Sequence, residues 1–254
     1  MSVIAVFNQK GGVGKTTTTL NVAACLAMLD RRPVVIDLDP QAHVSLALGV
    51  RHQAGPLCTP AFFRDATPLS RLLRTQSNGV RVVPAHPDLS KIDVTLGSTP
   101  GVTARLRRGL ADEPELRREP VLLDCAPTLG VLTLNALWAA DRVLVPVTAD
   151  FLTLQGLKRL DIALKVLEQP LGRTIERRVV MTRYDAGRPA CRDAFAELRQ
   201  RYGEAFCETL IRDDAALAES PAHGQDVFAF APDSAGAQDY RMLTMELLSK
   251  GFFR

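Results

Sequence analysis

A glycine-rich stretch near the N-terminus lies between an apolar run and a helical pattern: Lys10-Gly11-Gly12-Val13-Gly14-Lys15-Thr16-Thr17. The run before it predicts a buried strand, and the apolar residues after it recur at helical spacing. Glycines allow backbone N–H groups to surround phosphate oxygens, and a helix N-terminus adds unpaired N–H groups. Lys15 would neutralise phosphate charge, and the Thr16 hydroxyl would complete a Mg²⁺ shell. The stretch predicts a phosphate-binding loop; the alternative is a glycine-rich turn with solvated lysines.

The loop departs from the standard phosphate-loop pattern at its beginning. Gln9 stands where that pattern has a glycine, and Lys10 follows as a second lysine. This is the deviant Walker A motif, in which the chain resembles the ParA/MinD (SIMIBI) family of ATPases, closest to the short ParA/Soj-type partitioning and positioning proteins. The resemblance implies ATP and Mg²⁺ as ligands, with residues 10–17 binding the nucleotide. It also implies an ATP-dependent homodimer in which Lys10 reaches the partner's phosphates.

Three aspartates follow apolar runs that predict strands. Asp37 and Asp39 follow one run, and Asp124 ends another. Acids at the carboxyl ends of parallel strands face the crevice where doubly wound sheets bind ligands. By resemblance, Asp39 orients the attacking water and acts in catalysis with the two loop lysines, while Asp37 and Asp124 serve the Mg²⁺ shell with Thr16. The alternative for Asp39 is a helix N-cap, because Pro40 and a short helical stretch follow it.

Apolar runs alternate with helical patterns along most of the chain. Continuous apolar strands require a sheet that is covered on both faces. We therefore expect an α/β fold of the P-loop NTPase type, with a single doubly wound, mostly parallel sheet and helices on both faces. The predicted strands are 3–7, 33–36, 80–84, 120–124, 143–147 and 177–182, and the predicted helices are 18–29, 44–48, 69–74, 102–110, 152–167, 194–202 and 238–248. We expect residues 1–254 to form one ATPase domain, without an N-terminal helix-turn-helix.

Composition narrows the class of protein further. The chain has 46% hydrophobic and 23% charged residues, which is ordinary for a globular protein, and no apolar run approaches the length of a membrane span. Its five cysteines include no Cys-x-x-Cys pair and its four histidines are dispersed, which favours reduced thiols in the cytoplasm over a zinc or disulfide framework. We expect Cys125 to be a small buried hydrophobe rather than a metal ligand.

A local excess of arginine is the second candidate for a functional feature. Residues 172–201 contain eight arginines and four acids. Such a patch suits non-specific contact with the phosphates of double-stranded DNA, with Arg188 and Arg192 as candidate contacts, and a solvated basic helix face is the alternative. Three residues stand where relatives are more basic: Asp213, Asp214 and Ala216. Either the DNA contacts have moved to Arg188 and Arg192, or DNA binding is weak.

The resemblance implies an ATPase that partitions or positions a cargo, either a DNA locus or a protein assembly. The ATP-bound dimer would sit on nucleoid DNA, and a cargo-linked adaptor protein would stimulate slow hydrolysis. The alternative is a MinD-like membrane-cycling ATPase, for which residues 247–254 are a candidate amphipathic tail. A third class is a ligase or metal-delivery ATPase of the same fold, although an iron–sulfur carrier requires paired cysteines.

Overall fold

Seven strands form one sheet in the computed structural model, which describes residues 2–50 and 57–253. The strands are β1 Ser2–Val6, β2 Val34–Asp37, β3 Arg74–Thr75, β4 Arg81–Val83, β5 Pro120–Asp124, β6 Arg142–Val147 and β7 Glu176–Met181. Their order is β3-β4-β2-β5-β1-β6-β7, and every neighbouring pair is parallel except β3 with β4. The predicted doubly wound, mostly parallel α/β sheet is confirmed.

Twelve α-helices of the described residues surround this sheet. They are α1 Lys15–Met28, α2 His43–Ala47, α3 Thr59–Asp65, α4 Leu69–Leu72, α5 Ile92–Leu96, α6 Arg105–Ala111, α7 Val131–Ala139, α8 Phe151–Leu171, α9 Pro189–Tyr202, α10 Ala215–Glu219, α11 Val227–Phe230 and α12 Ala235–Ser249. One hydrophobic cluster joins the sheet to α3 through α9. A second cluster joins its other face to α1, α2 and α10 through α12.

The central strand β1 shows why the sequence requires two covered faces. All five of its residues are buried. Because successive side chains point to opposite faces of a strand, Val3 and Ala5 enter one cluster while Ile4 and Val6 enter the other. The apolar run therefore contributes to both cores at once.

The register of the central strands brings their carboxyl ends together. Strand β5 lies between β1 and β2, so Asp124 is paired in register with Val6 of β1 and with Asp37 of β2. The phosphate loop follows β1 directly. The loop and the acids that follow the strands thus meet at the middle of one sheet edge, as expected for this fold.

The structure departs from the predicted elements mainly between residues 57 and 118. Helices α3 and α5 lack a predicted counterpart, and the helix predicted over 69–74 ends at Leu72, because Arg74 instead pairs with Val82 across β3 and β4. Helix α9 begins at Pro189 rather than at residue 194, since proline suits the first turn of a helix. The predicted turn at Gly55-Pro56 lies outside the described residues.

The C-terminal segment packs into the protein core. Phe252 is 0% exposed and Phe253 is 6% exposed, and both belong to the same hydrophobic cluster as α1 and α12. The guanidinium of Arg142 also lies over the ring of Phe252. Both phenylalanines are therefore inaccessible to a lipid surface in this conformation. Within the described ranges, no helix combines the length and hydropathy needed to cross a membrane.

Candidate functional site

The phosphate loop connects β1 to α1 through two glycines in left-handed backbone conformations. Gly12 has φ +75° and Gly14 has φ +83°, where an L side chain would be strained. Gly14 is also the N-cap residue of α1 and has no side chain to satisfy the first N–H groups of that helix. The loop therefore offers backbone donors at a helix N-terminus, an arrangement that suits a phosphate group.

A cleft of about 620 Å³ opens above this loop. Gly11, Gly12, Gly14, residues 15–17 and Asp39 all line it. Arg183 also lines the cleft, with a left-handed φ of +51° that is uncommon outside glycine. The structure thus brings most of the predicted loop together with Asp39. It also adds Arg183, whose only sequence signal is its place at the end of a predicted strand.

Val13 and Lys10 are the two predicted loop residues that do not line the cleft. Val13 is buried, and its carbonyl oxygen accepts a hydrogen bond of 3.0 Å from the Thr182 hydroxyl. Lys10 forms an ion pair with Asp150, and each of these side chains is about a third exposed, at 33% and 37%. Val13 therefore anchors the loop to β7, while Lys10 is held at the rim by its own chain.

Lys15 is buried beneath the loop backbone. Its Nζ donates a hydrogen bond of 2.9 Å to the carbonyl oxygen of Lys10. Burial lowers the pKa of Lys15, while the nearby carboxylates of Asp124 and Asp39 oppose that shift. A desolvated ammonium group beside open backbone donors is well placed for an anionic ligand.

Asp124 is the acid that contacts the first turn of α1. Its two carboxylate oxygens accept hydrogen bonds from the hydroxyl of Thr16, at 3.0 Å, and from that of Thr19, at 2.9 Å. Burial raises the pKa of Asp124 to about 7. A threonine hydroxyl and a carboxylate are oxygen donors of the kind that Mg²⁺ takes, so this pair fits the implied metal. Thr19 was not predicted, although it lies one helical turn beyond Thr16.

Asp37 does not line the cleft, and its predicted place in the metal shell stays a prediction. One carboxylate oxygen accepts the backbone N–H of Asp39 at 3.1 Å. The other accepts the N–H of Ser45 at 3.1 Å and the Ser45 hydroxyl at 2.6 Å. The side chain is fully buried, and burial raises its pKa well above the usual value. Both oxygens of Asp37 thus accept internal hydrogen bonds, one of them from the backbone of Asp39, so this carboxylate supports the segment that carries Asp39.

Asp39 stabilises a turn and does not cap a helix. Its Oδ1 accepts the backbone N–H of Gln41 at 2.9 Å, and its carbonyl oxygen accepts that of Ala42 at 2.8 Å. Ala42 is the residue before α2, and that helix has no side-chain cap. The alternative role of Asp39 as an N-cap is therefore wrong, and its carboxylate lies at the cleft wall opposite Lys15.

The arginine-rich segment is less uniformly basic in the folded chain than in the sequence. Four of its eight arginines form ion pairs with neighbouring acids: Arg173, Arg177, Arg178 and Arg201. Arg188 and Arg192 are exposed at the beginning of α9, where Arg192 donates a hydrogen bond to the carbonyl oxygen of Ala186. Arg188 and Arg192 therefore remain available to contact DNA, whereas half of the arginines in the segment are paired with acids.

Asp214 is used internally, although its segment is acidic in sequence. Its Oδ1 accepts the N–H of Ala216 at the start of α10, at 2.9 Å. Its Oδ2 accepts the N–H of Gly236 at the start of α12, at 2.6 Å. Ala216 itself is half-buried against the second cluster. Among Asp213, Asp214 and Ala216, Asp213 is thus the one that leaves its charge at the surface.

Cys125 follows Asp124 and is 1% exposed, with its sulfur 3.6 Å from the carbonyl oxygen of Leu123. Burial raises its pKa well above the usual value, so the thiol form is favoured. Across the described ranges, no group of three or more His, Cys, Asp or Glu side chains is arranged to hold a metal ion.

Comparison with known proteins identifies close relatives along nearly the whole chain. Residues 1–176 match the AAA domain family. The chain is 34% identical over 256 residues to the chromosome partitioning protein ParA of Caulobacter vibrioides, covering 98% of this chain and 95% of that protein. It is 38% identical over 248 residues to the chromosome-partitioning ATPase Soj of Thermus thermophilus, covering 97% and 95%. A structure of cobyrinic acid a,c-diamide synthase from Mycobacterium smegmatis with bound ADP and magnesium is also similar, with a TM-score of 0.83, 28% identity and coverage of 99% and 96%.

Proposed function

Because this chain belongs to the ParA family of partitioning ATPases, we propose that it binds ATP with Mg²⁺ in the cleft and hydrolyses it to ADP and phosphate. The observation that supports this most directly is the meeting of Lys15 and Asp39 across one cleft, beside the Thr16–Asp124 contact. These groups come from three separate strands. They supply a cation for phosphate, oxygen donors for a metal and a carboxylate for water.

Each of these groups has a distinct task in the proposed reaction. The loop N–H groups and Lys15 bind the phosphates and hold the terminal one in place. Asp39 accepts a hydrogen bond from the attacking water and orients it. Thr16 and Asp124 would hold Mg²⁺, which would neutralise charge on the phosphate oxygens. Lys10 adds a second cation once it is released from Asp150.

The proposed active form is an ATP-dependent homodimer. Lys10 lies at the rim of the cleft, where a second chain could receive it. Leu129 is 42% exposed next to the cleft residue Thr128, and Val94 is 87% exposed four residues beyond the cleft residue Ser90. Apolar side chains beside a charged cleft favour burial against another protein surface. Dimer formation would thus cover this rim and deliver Lys10 to the partner's nucleotide.

The proposed dimer binds double-stranded DNA without sequence preference through Arg188 and Arg192 of each chain. A cargo-linked adaptor protein then stimulates hydrolysis and releases the dimer. Repeated binding and release would partition or position the cargo over the nucleoid in the cytoplasm. Contacts to phosphates from two chains together give a steep dependence on salt.

Two sets of measurements test this proposal, one on ATP binding and hydrolysis and the other on DNA binding. Lys15→Ala should abolish ATP binding, whereas Asp39→Ala should retain binding, hydrolyse ATP only at a low residual rate and accumulate as a dimer. Wild-type protein should bind DNA with ATP and not with ADP, and binding should weaken as salt is raised. Arg188→Ala with Arg192→Ala should weaken DNA binding, while Arg107→Ala, which removes an exposed charge from α6, should not. Normal turnover by Asp39→Ala would overturn the hydrolytic assignment, and ATP-independent DNA binding would overturn the cycle.

The similarity to a diamide synthase makes a ligase the second candidate. Such an enzyme would consume ATP only together with a carboxylic acid substrate and a nitrogen donor. The chain would then hydrolyse little ATP when DNA and adaptor are supplied. If the purified protein hydrolyses ATP without an acid substrate, and if added DNA or adaptor protein raises the rate, the result would favour the partitioning ATPase.

A further inference from the structure

Ser45 of α2 lies at the centre of a buried hydrogen-bond network behind the cleft. The residue is 1% exposed. Its hydroxyl donates to Oδ2 of Asp37 at 2.6 Å and accepts the backbone N–H of Ala85 at 3.0 Å. Its own N–H donates to the same Asp37 oxygen at 3.1 Å. The hydroxyl therefore acts as both a donor and an acceptor.

One arm of this network ends at Asp39. Asp37 uses its second oxygen to accept the backbone N–H of Asp39 at 3.1 Å. Asp39 in turn accepts the N–H of Gln41, which closes the turn that leads into α2. Asp37 is thus bonded to both ends of the segment between residues 39 and 45. The position of the Asp39 carboxylate depends on the atoms that fix Asp37.

The other arm leads toward Ser90, another residue that lines the cleft. Ala85 follows β4 and precedes the 3₁₀ turn Pro87–Lys91, whose Ser90 lines the cleft. The hydroxyl of Thr59 lies 2.9 Å from the carbonyl oxygens of both Asp37 and Pro84, which joins the same two strand ends again. Buried charge-assisted networks whose members are all satisfied tend to be rigid. The network therefore links the Asp39 turn to the end of β4 at Pro84 and Ala85.

We propose that Ser45 is a positioning residue for hydrolysis, which acts through Asp37 to hold the Asp39 carboxylate at its place in the cleft. This inference rests on the proposed ATPase function. It assigns Asp37 to the support of Asp39 and leaves the metal to Thr16 and Asp124. Removing the hydroxyl deprives Asp37 of its shortest hydrogen bond and leaves the N–H of Ala85 without its acceptor, so the turn loses its fixed geometry.

Single-turnover hydrolysis by the full chain tests this role. Ser45→Ala should slow hydrolysis by about 10- to 100-fold, since misplacing a catalytic group by about 1 Å costs that much. ATP affinity and the Mg²⁺ concentration for half-maximal rate should change by less than about twofold, because binding groups are untouched. Ser220→Ala is the matched control: Ser220 is also buried, but its hydroxyl has no hydrogen-bond partner within the described structure.

A double variant separates positioning from a general loss of stability. If Ser45 acts through Asp39, then Ser45→Ala combined with Asp39→Ala should be no slower than Asp39→Ala alone. Additive losses, a normal rate for Ser45→Ala, or an equal loss in Ser220→Ala would overturn the inference. If Ser45→Ala instead needs a higher Mg²⁺ concentration for its half-maximal rate, Asp37 belongs to the metal shell and the inference is also overturned. If wild-type protein and Asp39→Ala hydrolyse ATP equally, the proposed function fails rather than the role of Ser45.

Discussion

At the scale of single residues, the ion pair between Lys10 and Asp150 joins positions 140 apart in sequence. Pairs with this much exposure contribute up to about 1 kcal/mol, so the restraint on Lys10 is weak. Asp150 also accepts a hydrogen bond of 2.6 Å from the Thr148 hydroxyl, which a substituted asparagine retains. The pair therefore restrains the Lys10 side chain without fixing the loop.

Asp150→Asn should free Lys10 and favour the ATP-bound dimer. The concentration at which the dimer forms should fall by up to about fivefold, which corresponds to the weak pair that is lost. Sedimentation of the variant with ATP, in the Asp39→Ala background that slows hydrolysis, measures this shift. Asp150→Glu keeps the charge and serves as the control. Weaker dimerisation of Asp150→Asn would contradict an inhibitory role for the pair.

Asp124 makes the stability of the ligand-free protein depend on pH. Burial raises its pKa from 3.8 to about 7, so the folded chain binds this proton more tightly than the unfolded chain does. Protonated Asp124 therefore contributes fully to the unfolding free energy below about pH 4. This contribution, on the order of a few kcal/mol, is lost as pH rises to about 7.

The melting temperature without ATP or Mg²⁺ should therefore fall relative to that of Asp124→Asn as pH rises through this window. Asparagine keeps the size of the side chain but removes the titration, so the difference between the two proteins isolates Asp124. Thermal melts in a series of buffers provide the test. Parallel melting curves across the window would contradict the raised pKa.

At the scale of elements, Asp214 connects α10 and α12, two helices that pack on the same face of the sheet. It caps α10 and also binds the first turn of α12. An N-cap residue with a second buried contact contributes more than a cap alone. The same carboxylate therefore ties the beginning of α10 to the first turn of α12, whose own N-cap is Ser234.

Asp214→Ala should lower the unfolding free energy by about 1–3 kcal/mol, because two backbone N–H groups lose their acceptor. Asp213→Ala is the matched control, since Asp213 is exposed and contributes its backbone N–H to Tyr184. Urea denaturation of both variants measures the difference. Equal stability of the two would show that the capping contact contributes little.

At the scale of the whole molecule, the two cores contain four of the five cysteines: Cys125 and Cys191 in the first cluster, and Cys25 and Cys207 in the second. All five cysteines, Cys58 included, are buried. Burial raises the pKa of Cys207 to about 12, and burial also raises that of Cys125. Thiol reactivity depends on the thiolate and on access, so both factors protect these side chains.

A thiol reagent at pH 8 should therefore label fewer than about one cysteine per native chain on the timescale of minutes, and all of them after denaturation. Counting the released chromophore before and after guanidinium measures both values, with the denatured chain as the control. Fast labelling of the native protein would show that one of the two cores opens readily.

The sequence by itself determined the features that depend on neighbouring residues. The strand–loop–helix order around Gly14 predicted the phosphate loop, and the acids after apolar strands predicted that Asp39 and Asp124 would lie near it. The alternation of apolar strands and helices predicted the parallel sheet, because such strands need cover on both faces. These features follow from local periodicity and from the direction of parallel strands.

Only the tertiary structure decided which polar groups are free and which are used internally. Asp37 accepts a hydrogen bond from Ser45, Asp214 accepts one from Gly236, and Lys10 forms an ion pair with Asp150. Half of the arginines in the basic segment also form ion pairs with acids. Local patterns give no sign of these contacts, because a hydrogen-bond partner is chosen by packing between distant elements. Aspartate therefore lines the cleft at position 39, whereas two residues earlier, at position 37, it is buried and hydrogen-bonded inside the protein.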